Sequence, residues 1–303
     1  VMSLTQGRNT RVRLIFASTA NTLSVDVEDN TAGCVVQLLA KDGIYVSPAP
    51  RAINDATIAP GNRVDFAIKC ANAGSATLVT GDAKKRKRKH RRSLLQRGGP
   101  TRDEDEMNEA MTQTLVTFQV EASDADADED IPEFYPARPA YLADLTTYSG
   151  AMENFAIDFS PGGGGCTVND VSFQGEDSPL TEISVGAVHD WTVDGNARHP
   201  FHLHVNSFQL IGVEDPTGWY QTGDWHDVAY LADGTSVGSY RFSADVFTGH
   251  AVVHCHFLEH EDRGCMAHVD IVGNEGATTG LTGTQMALVD GTTTDAETTT
   301  DDE

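Results

Sequence analysis

Apolar and polar residues alternate in short runs along most of this chain. Arg11-Val-Arg-Leu-Ile-Phe16 and Thr22-Leu-Ser-Val-Asp-Val27 repeat with period two, the spacing that gives a half-buried β-strand one apolar face. Similar runs follow at Cys34-Val-Val-Gln-Leu-Leu39, Ile44-Tyr-Val46, Val64-Asp-Phe-Ala-Ile68 and Leu115-Val-Thr-Phe-Gln-Val120. Asp42-Gly43 and Pro60-Gly61 supply turns between them. After residue 140 the pattern resumes, at Glu153–Phe159, Thr167–Phe173, Val188–Val193, Ser207–Gly212, His250–His256 and Ala267–Val272. No helix longer than a turn or two is required. Short strands at this density predict an all-β chain of sandwiches or barrels.

Breaks in the pattern divide the chain. Residues 1–121 read as a first β domain, interrupted at about 82–110 by an insertion. Within it, Lys84–Arg92 holds 8 of the 21 Lys and Arg, followed by Gly98-Gly-Pro100 and Asp103-Glu-Asp-Glu106. Blocks of like charge repel one another, which predicts a disordered loop; as a motif it also fits a nuclear-import signal, an anionic-partner patch or a processing site. Residues 122–140 are acidic and then proline-punctuated, as in a linker. Residues 141–272 form a second β domain. The tail 273–303 is Thr-, Gly- and acid-rich without Lys or Arg, which predicts disorder.

Charge and cysteine content narrow the function. Net charge is −24, and outside the basic block 13 Lys and Arg face 45 Asp and Glu. Such a surface repels nucleic acid. No run of about 20 apolar residues could span a membrane. Five cysteines, at 34, 70, 166, 255 and 265, form no CxxC pair, against a zinc ribbon. An odd count fits one metal thiolate with at most two disulfides, and Cys34 and Cys70 could pair. The chain opens on Val1 with no visible signal peptide, as a fragment would.

Chemistry concentrates in His199-Pro-Phe-His202-Leu-His204 and His254-Cys-His256-Phe-Leu-Glu-His260. On a strand, Cys255 points to one face while His254 and His256 point to the other. Cys255 with His260 and one further imidazole, for which His199 is available, makes a His₂Cys set of the blue-copper electron-transfer kind. His202 and His204 can join His254 and His256 around a second cluster. Zinc is the competitor on ligand chemistry, but a lone thiolate among imidazoles favours copper. His189, His226, His250 and His268 stand apart from both motifs and read as ordinary strand or loop histidines.

These two motifs resemble, almost letter for letter, the third and fourth copper motifs of the multicopper oxidase family, in its laccase, bilirubin-oxidase and copper-efflux-oxidase-like branch. Ala59-Pro-Gly-Asn-Arg-Val-Asp-Phe66 is similar to the family's copper-free middle domain, so the resemblance covers roughly residues 8–272. It implies two cupredoxin-like Greek-key domains. It further implies type 1 copper on His199, Cys255 and His260, type 2 copper on His202, and a type 3 pair on His204, His254 and His256. Glu261 would feed protons to the oxygen-reducing cluster, and Asp227 would face substrate. The implied activity is one-electron oxidation of a small reducing substrate (a phenol, a pigment or a metal ion) with reduction of dioxygen to water, in a secreted or extracytoplasmic protein.

The chain departs from the family at two points. The family's first domain supplies two further His-x-His pairs, whereas here His90 is the only histidine before His189. The chain thus looks like domains two and three of a three-domain oxidase, with an N-terminal cupredoxin domain expected in the full-length protein. A copper electron-transfer module without oxidase turnover and a two-domain copper nitrite reductase are the rival readings. The other departure is axial: where the family usually carries Met, Leu or Phe, this sequence has Cys265, followed by Met266. Either could be the weak fourth ligand, or neither.

Overall fold

A computed structural model describes residues 1–303 except 54–55, 81–112, 124–129, 161–165, 174, 176–177, 196–198, 232–233 and 290–303. The basic block at 84–92 and the outer tail lie outside the described residues.

Two pairs of sheets account for nearly all the strands. In the first pair, one sheet runs Met2–Thr5, Thr114–Glu121, Gly74–Thr80, Leu23–Glu28, Thr57–Ile58. Its partner runs Thr10–Ile15, Arg63–Cys70, Cys34–Lys41, Ile44–Tyr45. The alternation read from the sequence is visible as burial: Thr10–Ile15 alternates half-buried and exposed, with Val12 and Leu14 turned to the core. The central strand Arg63–Cys70 is buried on both faces over most of its length. Asp42 and Gly43 both have positive φ (51° and 84°), as a two-residue type I′ hairpin requires. Cys34 and Cys70 face each other in register and form a disulfide.

The second pair contains a six-stranded sheet, Thr167–Val168, Met152–Ser160, Val188–Asp194, Ser239–Ser243, Phe208–Ile211, Trp225–His226. Against it lies a five-stranded sheet, Glu182–Ser184, Met266–Val272, Gly249–Cys255, Phe201–Leu203, Val228–Ala229. Trp191, Phe201, Phe208, Tyr240 and Phe242 fill the space between them, all 1 % exposed or less. The architecture is all-β and cupredoxin-like, and the only described α-helix is the five-residue Leu258–Asp262. No described helix is long and apolar enough to cross a membrane.

One expectation is corrected here. Part of the tail expected to be disordered is ordered: Ala287–Leu288 pairs antiparallel with Phe134–Tyr135 in the linker, and Arg138 exchanges two hydrogen bonds with Thr284. Leu281 packs beside Leu142, Leu145 and Trp225. Composition gave no sign of this because backbone pairing, rather than an apolar pattern, holds the segment.

The two pairs of sheets meet at a buried polar seam. Asp224 accepts from Lys41 Nζ (2.8 Å) and from both terminal nitrogens of Arg51 (2.9 and 2.7 Å). Burial alone would raise the Asp224 carboxyl, but Lys41 and Arg51 outweigh it and hold the group well below the ordinary carboxylate range. Burial also draws the Lys41 ammonium down; with two cations on one carboxylate, the state the seam fixes is ionised Asp224. Beside it, Asp42 accepts from Asn62 Nδ2 and the Arg63 backbone N–H and lies 3.2 Å from His226 Nδ1.

Candidate metal centre

The site is built on the end of the Gly249–Cys255 strand, which is hydrogen-bonded on both sides. Phe201 pairs with Cys255 and His202 with His254 on one side, and His254 pairs with Met266 on the other. Alternation then sends Cys255 into the sandwich and His254 to the opposite face. Cys255 is fully buried and is the one free cysteine.

On the Cys255 side, three donors converge. Sγ lies 3.5 Å from His199 Nδ1 and 3.7 Å from His260 Nδ1, and the two nitrogens are 3.1 Å apart. A trigonal site with ligands at about 2.0–2.3 Å has edges of about 3.5–4 Å, so the triangle is close to the size a copper ion takes. The backbone N–H of Phe257 points at Sγ from 3.4 Å. Burial pushes the Cys255 thiol up to about 12, against the pull of the Phe257 N–H and with help from Glu261. A metal must therefore displace that proton, and uptake weakens as the pH falls. His260 sits in the short helix Leu258–Asp262, which the backbone N–H of Leu258 ties to Thr19 O of the first pair of sheets.

On the other side four imidazoles gather. His204 Nε2 and His254 Nε2 are 3.2 Å apart, and the His202 ring lies 4.7–5.2 Å from those of His204, His254 and His256. The free ring nitrogens are set by what the others bond. His202 Nδ1 meets the Asp227 carbonyl at 2.6 Å and His254 Nδ1 the Cys255 carbonyl at 3.1 Å, leaving both Nε2 atoms for the cluster. His256 Nδ1 is buried with no hydrogen-bond partner. Burial, aided by neighbouring imidazoles, drives His202 down to about 3 and His254 to about 4, and lowers His204. These rings are neutral with lone pairs exposed to one another, a costly arrangement that metal ligation relieves. Copper fits both donor sets.

Glu261 Oε2 lies 3.3 Å from His254 Nδ1, and burial raises its carboxyl. It stands at the edge of the imidazole cluster, beside a ligand rather than among the ligand atoms.

Three sequence expectations are corrected. Cys265 is bonded to Cys166 in a disulfide, so no free thiol stands at the axial position. The disulfide instead walls the site, its sulfurs and a ring nitrogen of His199 all lying within 4.8 Å of one another. Met266 is opposed to His254 in the ladder, and directly opposed residues project to one face. It therefore leaves the sheet away from Cys255, and an axial role would take it out of register. Asp227 is not a free acid: Arg63 holds its carboxylate through both terminal nitrogens (2.9 and 2.5 Å), while its carbonyl orients His202.

Gly61, which motif reading treated only as a turn residue, also belongs to the centre. It has φ +85°, and a Cβ there would run into the His256 ring at Nε2. Pro60-Gly61 forms the middle of a turn closed by Asn62 N–H to Ala59 O (3.1 Å), with the positive φ that only the third position of a type II turn demands. The first pair of sheets thus reaches the imidazole cluster through the edge of a glycine. The signal was in the sequence, as a Pro-Gly in the Ala59–Phe66 motif, but its second function depends on a contact made nearly 200 residues away.

Known proteins resemble this chain in sequence and in fold. Residues 137–274 match the family model described as multicopper oxidase. A laccase of Bacillus subtilis is 24 % identical over 293 residues, 87 % of this chain and 51 % of the relative. The cell division protein FtsP of Dickeya dadantii is also 24 % identical, over 86 % of this chain and 50 % of its own length. The chain therefore spans about half the length of these curated relatives. Among solved structures, the McoA multicopper oxidase of Aquifex aeolicus superposes with a TM-score of 0.67 at 18 % identity, covering 89 % of this chain and 57 % of that one. With the matched motifs and the cupredoxin-like sheets, residues 137–274 of the chain are similar to the multicopper oxidase family.

Proposed function

We propose that this chain carries the electron-entry site and part of the oxygen-reducing site of a copper-dependent oxidase. His199, Cys255 and His260 hold the type 1 copper. His202 serves the type 2 copper, and His204, His254 and His256 the type 3 pair. The observation that carries this reading is the strand end itself: one residue, Cys255, faces the three-donor triangle, while its two covalent neighbours face the imidazole cluster. Bound copper supplies the one-electron redox chemistry, so that four electrons from four substrate molecules, with four protons, convert one dioxygen to two waters.

The protein's own residues do the rest. The Cys255 side chain and backbone give electrons a covalent path to His254 and His256. His260, only partly buried, is the edge nearest a reducing substrate in solution. The Phe257 N–H and the Cys166–Cys265 disulfide wall fix the thiolate, and Asp227 O and Cys255 O fix the ring orientations of His202 and His254. Glu261, beside His254 and open to solvent on one side, carries protons inward. Two disulfides fit folding in an oxidising compartment, secreted or extracytoplasmic.

A copper electron-transfer module without oxygen turnover is the second reading. It is favoured by one observation: among the described residues only four imidazoles meet at the second cluster, few for three coppers. Stopped-flow mixing of the copper-loaded chain with a one-electron donor and then oxygen tests both. Bleaching of the visible band followed by recovery at four electrons per oxygen supports the oxidase. Bleaching without oxygen-dependent recovery supports the module, and no bleaching contradicts both.

A further inference from the structure

Outside the two proposed copper sites, the structure brings together His250, His268 and Asp270, residues that are unremarkable in the sequence. They lie on the two neighbouring strands Gly249–Cys255 and Met266–Val272, in register, with His250 opposite Asp270 and Val252 opposite His268. Alternation puts all three side chains on one face of the sheet, the face that carries His254, and about 13 Å along the strand from it. His250 Nδ1 lies 2.6 Å from Asp270 Oδ1, and His268 Nε2 lies 3.5 Å from the same oxygen. The two rings stand perpendicular with centroids 5.0 Å apart.

The decisive member is His268. It is 3 % exposed, and neither of its ring nitrogens makes a hydrogen bond. A buried polar group left so is costly, and native proteins seldom tolerate one without a use. Its Nε2 lies 3.5 Å from the carboxylate oxygen that His250 already contacts. Two imidazoles and a carboxylate on one face, with the remaining directions open to solvent at the half-exposed His250, form a two-histidine, one-carboxylate set. Too few oxygens are present for Ca²⁺ or Mg²⁺, while imidazole suits Zn²⁺ and Cu²⁺. Both strands are held on their other edges, Met266–Val272 by Glu182–Ser184 and Gly249–Cys255 by Phe201–Leu203, so the backbone arrives already shaped. Glu182, opposite Asp270 on the adjacent parallel strand, adds negative charge at the rim.

We propose that His250, His268 and Asp270 form an accessory, solvent-accessible site for a divalent transition-metal ion, Zn²⁺ or Cu²⁺. The ion takes one nitrogen from each imidazole and the carboxylate of Asp270, with water in the open positions. The site stands independently of the oxidase reading, since none of its ligands belongs to either proposed copper set.

Zinc alone, dialysed to equilibrium against the whole chain and counted by mass spectrometry, tests this. The wild type is compared with His250→Gln and Asp270→Asn, both checked for native fold by circular dichroism and melting. His250 is exposed, so its replacement leaves the core untouched. Each variant is expected to retain one zinc equivalent fewer than the wild type, and to lose part of the zinc-induced rise in melting temperature. Equal zinc content in the wild type and His250→Gln overturns the site, whatever zinc the copper-ligand histidines take up.

Discussion

The two pairs of sheets share an architecture but use their polar residues differently. In the second pair, histidines and one cysteine occupy the end of a central strand and face one another. In the first pair, the described residues gather no metal-sized cluster; Lys41, Asp42, Arg51, Asn62 and Arg63 are turned to the seam instead. The difference shows what the first sandwich contributes to the second. It supplies the countercharge for Asp224 and Asp227, and through Asp227 the carbonyl that orients His202. It also supplies the glycine edge against which His256 rests. The ligands are local in sequence, and their positioning is not.

The largest effect is expected from breaking the seam. Asp224→Ala leaves Lys41 and Arg51 buried without their countercharge, although Lys41 keeps the Trp219 carbonyl; the loss costs about 3–5 kcal/mol in urea denaturation. The triple replacement Lys41→Met, Arg51→Met, Asp224→Leu should recover most of that. The same carboxylate sets a pH dependence. Because the folded protein holds Asp224 below its ordinary range, its stabilisation is complete above the unfolded value of about 3.9. It is lost as the pH falls through the lower folded value, since there the folded state must take up the proton as well. Stability should therefore decline on acidification below about pH 4, and Asp224→Asn should flatten that decline.

Removing the Cys166–Cys265 disulfide by double alanine substitution should cost about 2–5 kcal/mol. The thiolate-to-copper band should survive, because Cys265 is not a ligand. Loss of the band with the fold intact would restore a ligand role to Cys265. Gly61→Ala should cost about 1–2 kcal/mol for the left-handed backbone. It should also push His256 aside, lowering copper content at the imidazole cluster while leaving the visible band. The smallest structural change is Glu261→Gln. It should slow oxygen reduction several-fold while reduction of the type 1 copper by substrate stays nearly constant. Equal loss of both steps would assign Glu261 a structural role.

The legibility of the molecule follows the same division. Cys255, His254 and His256 could be sorted to opposite faces because strand alternation is a local rule, and Asp42-Gly43 could be read as a hairpin because two positive φ angles demand such residues. What could not be read depends on distant pairing. Cys166 and Cys265 are 99 residues apart, and nothing near Cys265 distinguishes a disulfide half from an axial thiol. Met266 follows Cys265 immediately, yet the ladder register, fixed by a neighbouring strand, turns it to the other face. Asp227 reads as a surface acid until Arg63, 164 residues earlier, is seen to hold it. His250 and His268 look isolated because their proximity exists only across strands.

The central claim is that one strand end separates a thiolate site from an imidazole cluster. Visible absorption of the copper-loaded protein, recorded for Cys255→Ser and for His204→Gln, tests it most directly. The account predicts that Cys255→Ser abolishes the intense thiolate-to-copper band, while His204→Gln keeps the band and loses copper only from the second cluster. Survival of the band in Cys255→Ser, or its loss in a folded His204→Gln, would contradict it.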